Sequence, residues 1–111
     1  MDILVVGNGG REHALCWKIS QSPKCNKLFC APGNAGIENL AECVNIQPNE
    51  ISDLVNFAKN NLIDLVIVGP EIPLVMGLVD KLELEGISAF GPNQAAAKLE
   101  GSKAFMKDLF T

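Results

Sequence analysis

Four short apolar runs, at residues 3–6, 28–31, 65–68 and 87–90, alternate with stretches of helical spacing. That alternation limits the fold more than any other feature. The runs show little switching between polar and apolar positions, as expected of strands covered on both faces. Residues 43–46 form a weaker fifth candidate. Between the runs, residues 11–20 read as a helix stopped by Ser22-Pro23. Ile51, Leu54, Val55 and Ala58 fall at i, i+3, i+4 and i+7, one face of a second helix, with Asn49 placed to cap it. Leu74, Val75, Leu78, Val79 and Leu82 make a broad apolar stripe for a helix over 73–85, with Gly86 as its C-terminal cap. A last helical stretch begins near Ala95 and runs towards Thr111. Strands and helices in this order predict an α/β fold: a mainly parallel sheet of four to five strands between two helical layers.

In such sheets ligands gather at the carboxyl ends of the strands, near a topological switch point. The loops that directly follow each strand therefore carry the chemistry. The first is Gly7-Asn8-Gly9-Gly10-Arg11-Glu12-His13. Its glycines permit a sharp turn and close approach of a ligand. The helix start behind it offers free N–H groups to an anion, and Arg11 adds a guanidinium that can hold phosphate through two hydrogen bonds. The dinucleotide pattern would place glycine at 7, 9 and 12, but position 12 is Glu. That pattern also wants an acid at the end of the second strand, where the chain reads Phe29-Cys30-Ala31-Pro32. Both departures argue against a free-standing nucleotide or dinucleotide module, the alternative functional class. A glycine turn that serves only strand–helix packing also remains open at this point.

The second loop, Ala31-Pro32-Gly33-Asn34-Ala35-Gly36, is a tight turn with exposed amides beside the first. The third, Val68-Gly69-Pro70-Glu71-Ile72-Pro73-Leu74, holds Glu71 between two prolines that stiffen the backbone. A carboxylate fixed there can accept hydrogen bonds from ribose hydroxyls or an amine; it also suits the start of the 73–85 helix. The fourth, Phe90-Gly91-Pro92-Asn93, reads as a turn into the last helix. His13, the one histidine, is expected to be structural or solvated on the first helical turn rather than a catalytic base. Trp17, at helical spacing from His13 and Ala14, is expected to pack, and Lys103 and Lys107 look like a solvated helix face.

Charge and cysteine content narrow the function further. Residues 1–30 carry four basic against two acidic side chains, and the rest carries five against eleven. The basic end holds the glycine loop, which suits a small anionic ligand, while the net charge of −4 speaks against nucleic acid. Cys16, Cys25, Cys30 and Cys43 contain no C-x-x-C spacing, so no metal site is expected and all four read as reduced thiols of a cytoplasmic protein. No apolar run nears the ~20 residues of a membrane span, and Met1-Asp2-Ile3-Leu4 lacks the basic flank of a secretory signal. The tail, Leu99-Glu100-Gly101-Ser102-Lys103-Ala104-Phe105 and onward to Thr111, has large apolar residues and no cap. It reads as the start of an element in a longer protein, or as a surface that expects a partner domain.

Five motifs in order, Gly7-Asn8-Gly9-Gly10-Arg11-Glu12-His13-Ala14, Ala31-Pro32-Gly33-Asn34-Ala35-Gly36, Val68-Gly69-Pro70-Glu71 with Pro73-Leu74, Phe90-Gly91-Pro92, and Leu99-Glu100-Gly101-Ser102-Lys103-Ala104-Phe105, resemble the N-terminal part of the phosphoribosylamine–glycine ligase family. The resemblance covers essentially the whole chain. It implies a Rossmann-like, pre-ATP-grasp domain over 1–98, with 99–111 the start of an ATP-grasp module. It also implies a parent enzyme of purine biosynthesis that joins glycine to 5-phosphoribosylamine, with ATP and Mg²⁺ or Mn²⁺ held by the module and C-terminal domains that follow. By that resemblance Gly9, Gly10, Arg11 and Glu71 line the phosphoribosylamine site, and Lys103 reaches the ATP phosphates in the full-length parent only. The 111-residue piece alone is expected to be inactive and to bind no cofactor tightly.

Overall fold

The computed structural model of the chain describes residues 1–69 and 77–90. The Glu71 loop, the turn expected at 91–93, the last helix, and Lys103 and Lys107 lie outside the described residues. The described elements are β1 (Asp2–Gly7), α1 (Gly10–Ser20), β2 (Lys27–Pro32), a single 3-10 turn (Ile37–Asn39), β3 (Glu42–Cys43), α2 (Ile51–Asn60), β4 (Leu65–Val68), α3 (Leu78–Leu84) and β5 (Ser88–Phe90).

The five strands form one parallel sheet in the order β3-β2-β1-β4-β5. β1 is central, and its four apolar residues Ile3 to Val6 are wholly buried. Alternate side chains go to opposite faces. Leu4 and Val6 join Leu54 and Ala58 of α2 and Leu78 and Leu82 of α3 in one core. Ile3 and Val5 join Cys16 and Ile19 of α1 and Ile37 of the 3-10 turn in the other. The result is the three-layer α/β/α arrangement that continuous apolar strands require, since neither face of such a strand tolerates water. Phe29 of β2 meets Phe57 of α2 edge to face, with ring centroids 5.2 Å apart.

Several local readings shift. The fifth strand candidate at 43–46 is only Glu42–Cys43, an edge pair registered with Phe29 and Cys30. Asn49 does not cap α2; Glu50 holds the cap position without a side-chain bond to the helix, and its Oε1 instead accepts the Gln47 amide at 2.8 Å. The described part of the 73–85 helix starts at Leu78, after Gly77 at φ 85°. Trp17 is 51% exposed rather than packed. The buried face of α1 is Glu12, Cys16 and Ile19, at i, i+4 and i+7, and Trp17 falls beside it.

Two helices end alike. Gly86 takes φ 78°, its amide donates to Glu83 O, and the Ile87 amide donates to Leu82 O. This is the Schellman closure, with glycine where a left-handed residue is needed. α2 closes the same way through Leu62 to Lys59 O and Ile63 to Ala58 O, but the left-handed residue is Leu62 at φ 53°, 80% exposed.

Candidate functional site

After β1 the chain moves outward to β2 and β3, then returns across the sheet to β4 and β5. The reversal leaves a crevice at the carboxyl ends of β1 and β4, the place where sheets of this kind bind ligands. Gly7 ends β1 and Gly69 follows β4, with the Gly69 amide donating to Val6 O at 2.9 Å.

α1 opens directly onto this crevice. Its cap residue Gly9 is extended and makes no side-chain capping bond, and the first amide turned back into the helix is that of His13, to Gly9 O at 3.0 Å. The amides of Gly10 and Arg11 make no backbone hydrogen bond among the described residues. They are first-turn donors that helix geometry leaves unpaired. Gly10 is exposed, and a side-chain carbon built there would meet nothing within 4 Å. Two amides without a backbone partner among the described residues thus lie at the positive end of an 11-residue helix. That end contributes about 0.3–1 kcal/mol for an exposed anion.

Arg11 is also at the crevice. One of its terminal nitrogens donates to Gly69 O at 2.7 Å. The bond pins the guanidinium to the end of β4 and leaves its outer N–H groups as further donors in a planar fork.

The second loop braces the first. The Gly33 amide donates to Gly7 O at 3.1 Å, and Asn34 Nδ2 donates to Asn8 O at 2.8 Å while its Oδ1 accepts the Ile37 amide at 3.0 Å. His13 is half-buried, with its ring against Gly36, so it packs between the two loops. From beneath, the Cys30 thiol donates to Gly7 O at 3.3 Å. The adjoining Cys16 thiol, and then burial, push that thiol above its ordinary range and keep it a donor. Burial also pushes up Cys43 at the loop's edge. All four cysteines are free thiols. Among the described residues no group of three or more His, Cys, Asp or Glu side chains is arranged to hold a metal ion.

The structure therefore brings Gly9, Gly10 and Arg11 together at the switch point, while Glu71 and Lys103 lie outside the described residues. Reading motifs alone missed two side chains. Asn34 ties the loops together. Glu12 is 6% exposed and turns inward, its carboxylate lodged against Gly7 and Gly69. The spacing of Glu12, Cys16 and Ile19 was the available signal, because it places a carboxylate on the apolar face of α1.

Comparison with known proteins decides the family. The model for "Phosphoribosylglycinamide synthetase, N domain" matches residues 1–100. The chain belongs to that family. It is 58% identical over 109 residues to the phosphoribosylamine–glycine ligase of Caldanaerobacter subterraneus subsp. tengcongensis, covering 98% of this chain. It is 58% identical over 110 residues to that of Haemophilus influenzae and 56% over 109 residues to that of Brucella melitensis. In each case the chain spans about a quarter (26%) of the relative's length. The phosphoribosylglycinamide synthetase N domain is thus an all-parallel α/β unit among the described strands, as the alternation of apolar runs implies. No helix among the described residues is long and apolar enough to cross a membrane.

Proposed function

We propose that this domain supplies the phosphosugar side of a ligase site, in a parent enzyme that joins glycine to 5-phosphoribosylamine with ATP. The observation that carries the proposal is the pair of Gly10 and Arg11 amides at the α1 N-terminus, without a backbone partner among the described residues, with the Arg11 guanidinium pinned beside them. One terminal phosphate suits that set: amides at a helix start plus a planar cation. The match with ligases along 97–98% of this chain supports the reaction class.

In this reading Gly9, Gly10 and Arg11 fix the phosphate, and Glu71, on the loop after β4, accepts hydrogen bonds from the ribosyl amine or hydroxyls. The domain's contribution is positional: it holds the amine where an activated glycine carboxyl can meet it, and orientation of this kind lowers the barrier without a nucleophile of its own. ATP supplies the activation, with Mg²⁺ or Mn²⁺, on the ATP-grasp module of the parent. Residues 1–98 form the pre-ATP-grasp domain and 99–111 begin that module, where Lys103 reaches the nucleotide phosphates. The remaining domains of the same chain are its partners, and the setting is the cytoplasm.

Ribose 5-phosphate tests the reading. Its addition to ¹⁵N-labelled protein shifts the amides of Gly9, Gly10 and Arg11 ahead of others, at millimolar ligand if the isolated domain binds weakly. Saturating ligand without those shifts contradicts it. The competing reading, a free-standing dinucleotide module, is disfavoured by Glu12 in the third-glycine position and by Pro32 at the end of β2. Thermal stabilisation by NAD but not by ribose 5-phosphate would reverse the ranking.

A further inference from the structure

We propose that Glu12 determines the ligand class of this loop, confining it to ligands with one terminal phosphate and excluding diphosphate-bridged dinucleotides. The inference deepens the phosphosugar reading and rests on it. In a dinucleotide-binding loop the second glycine lets the backbone approach the pyrophosphate, and the third lets the helix pack close to the strand. Here residue 12 stands at that place with a carboxylate, and the side chain points into the fold rather than out of it.

The surroundings of Glu12 match its shape. A side-chain carbon built at Gly7 would collide with Glu12 Oε1 and lie 2.6 Å from Cδ. One built at Gly69 would collide with the same oxygen and lie 2.7 Å from Cδ, and one at Gly9 would lie 3.3 Å from Oε2. Glycine faces at the ends of β1 and β4 and at the α1 cap thus form a notch that receives the carboxylate. Gly7 and Gly9 keep the first two glycine positions of the pattern, Gly69 adds a third small residue after β4, and the space between them is filled by an acid.

Two consequences follow for a ligand. The wedge sets the distance between the first turn of α1 and the ends of β1 and β4, so the loop cannot close around a bridging diphosphate as the glycine pattern does. The carboxylate also puts a negative charge beneath the donors of Gly9, Gly10 and Arg11. One phosphate at the outer rim tolerates that charge; a second, seated deeper, meets it at close range. Exclusion by an introduced repulsive element is a common route to specificity.

The test compares ADP-ribose with ribose 5-phosphate, which share a ribose phosphate and differ in the diphosphate bridge. Wild type, Glu12→Gly, Glu12→Ala and Glu12→Gln are titrated with each probe and followed by amide shifts, after retained amide dispersion shows that each variant folds. Glu12→Gly, and Glu12→Ala to a smaller degree, gain roughly tenfold or more in affinity for ADP-ribose relative to ribose 5-phosphate. Glu12→Gln keeps the wedge, loses the charge and gains less. Unchanged ADP-ribose binding in the folded variants overturns the proposal. A wild type that ignores ribose 5-phosphate refutes the phosphosugar reading separately, since gain of ADP-ribose binding by the variants still decides the role of Glu12. A purely structural Glu12 would lower stability without changing the preference between probes.

Discussion

Gly69→Ala isolates the fit between Glu12 and its notch. Gly69 is buried, and an added methyl would collide with Glu12 Oε1, lie 2.7 Å from Cδ and sit 3.0 Å from Val6 O. Ordinary carbon–oxygen contacts begin near ~3.4 Å, so the carboxylate must leave. Gly7 closes the other side of the notch, and the Glu12 side chain has little room to move inward. Overpacking of this kind costs about 1–3 kcal/mol. With Glu12 replaced by Gly, both Glu12 clashes vanish, and the Val6 O contact at 3.0 Å is relieved by a shift of a few tenths of an ångström. The Gly69→Ala cost in that background should fall by about 1–2 kcal/mol, a coupling in the range expected of residues in direct contact. Urea unfolding of the four proteins in the cycle measures it, with stability taken from midpoints at constant m-value. If Gly69→Ala costs the same in both backgrounds to within ~0.5 kcal/mol, the notch does not hold Glu12 and the reasoning fails.

Gly10→Ala should do the opposite for stability. Its new methyl meets nothing within 4 Å, and the loss of unfolded-state freedom stabilises by about 0.4–1 kcal/mol in the same urea assay, while the methyl crowds the phosphate and weakens ribose 5-phosphate binding. Leu62→Gly should also stabilise, by about 0.5–1 kcal/mol. Glycine relieves a left-handed strain of roughly 1–2 kcal/mol at φ 53°, the unfolded chain regains part of it, and a side chain already 80% exposed gives up little burial. A raised urea midpoint checks this; a lowered one shows that Leu62 packs in solution. The Cys30 thiol has a folded pKa above its unfolded value, so its contribution is intact below the ordinary thiol pKa and is lost as pH rises past it. Its neighbour Cys16 is shifted the opposite way, so the pair sets the net slope; Cys30→Ala should lessen the loss of stability between about pH 8.5 and 10, read from urea midpoints.

The central strands were legible because burial on both faces erases polar positions: residues 3–6 and 65–68 announce themselves, and all are buried in the sheet. The edge strand β5 was legible too, at residues 87–90, whereas the edge strand β3 was marked only weakly and with the wrong span, at 43–46. β3 is set by its pairing with Phe29 and Cys30, a tertiary fact that its own residues do not encode. Gly86 was readable as a cap since glycine is the usual left-handed residue, whereas Leu62 does the same work against its preference and leaves no local signal. The place of the Gly9-Gly10-Arg11 loop, at the start of α1 beside the switch point, followed from strand, loop and helix order. The inward turn of Glu12 needed helical phase as well as motif, because within the glycine pattern it read only as a missing glycine. Arg11's bond to Gly69 O spans 58 residues and belongs to topology, not to the loop.

A crystal of the chain soaked in ribose 5-phosphate measures the central claim most directly. The account predicts phosphate oxygens about 3 Å from the Gly10 and Arg11 amides, with the Arg11 guanidinium donating to both the phosphate and Gly69 O. Phosphate bound elsewhere, or those amides turned away from it towards the protein's own side chains, would contradict it.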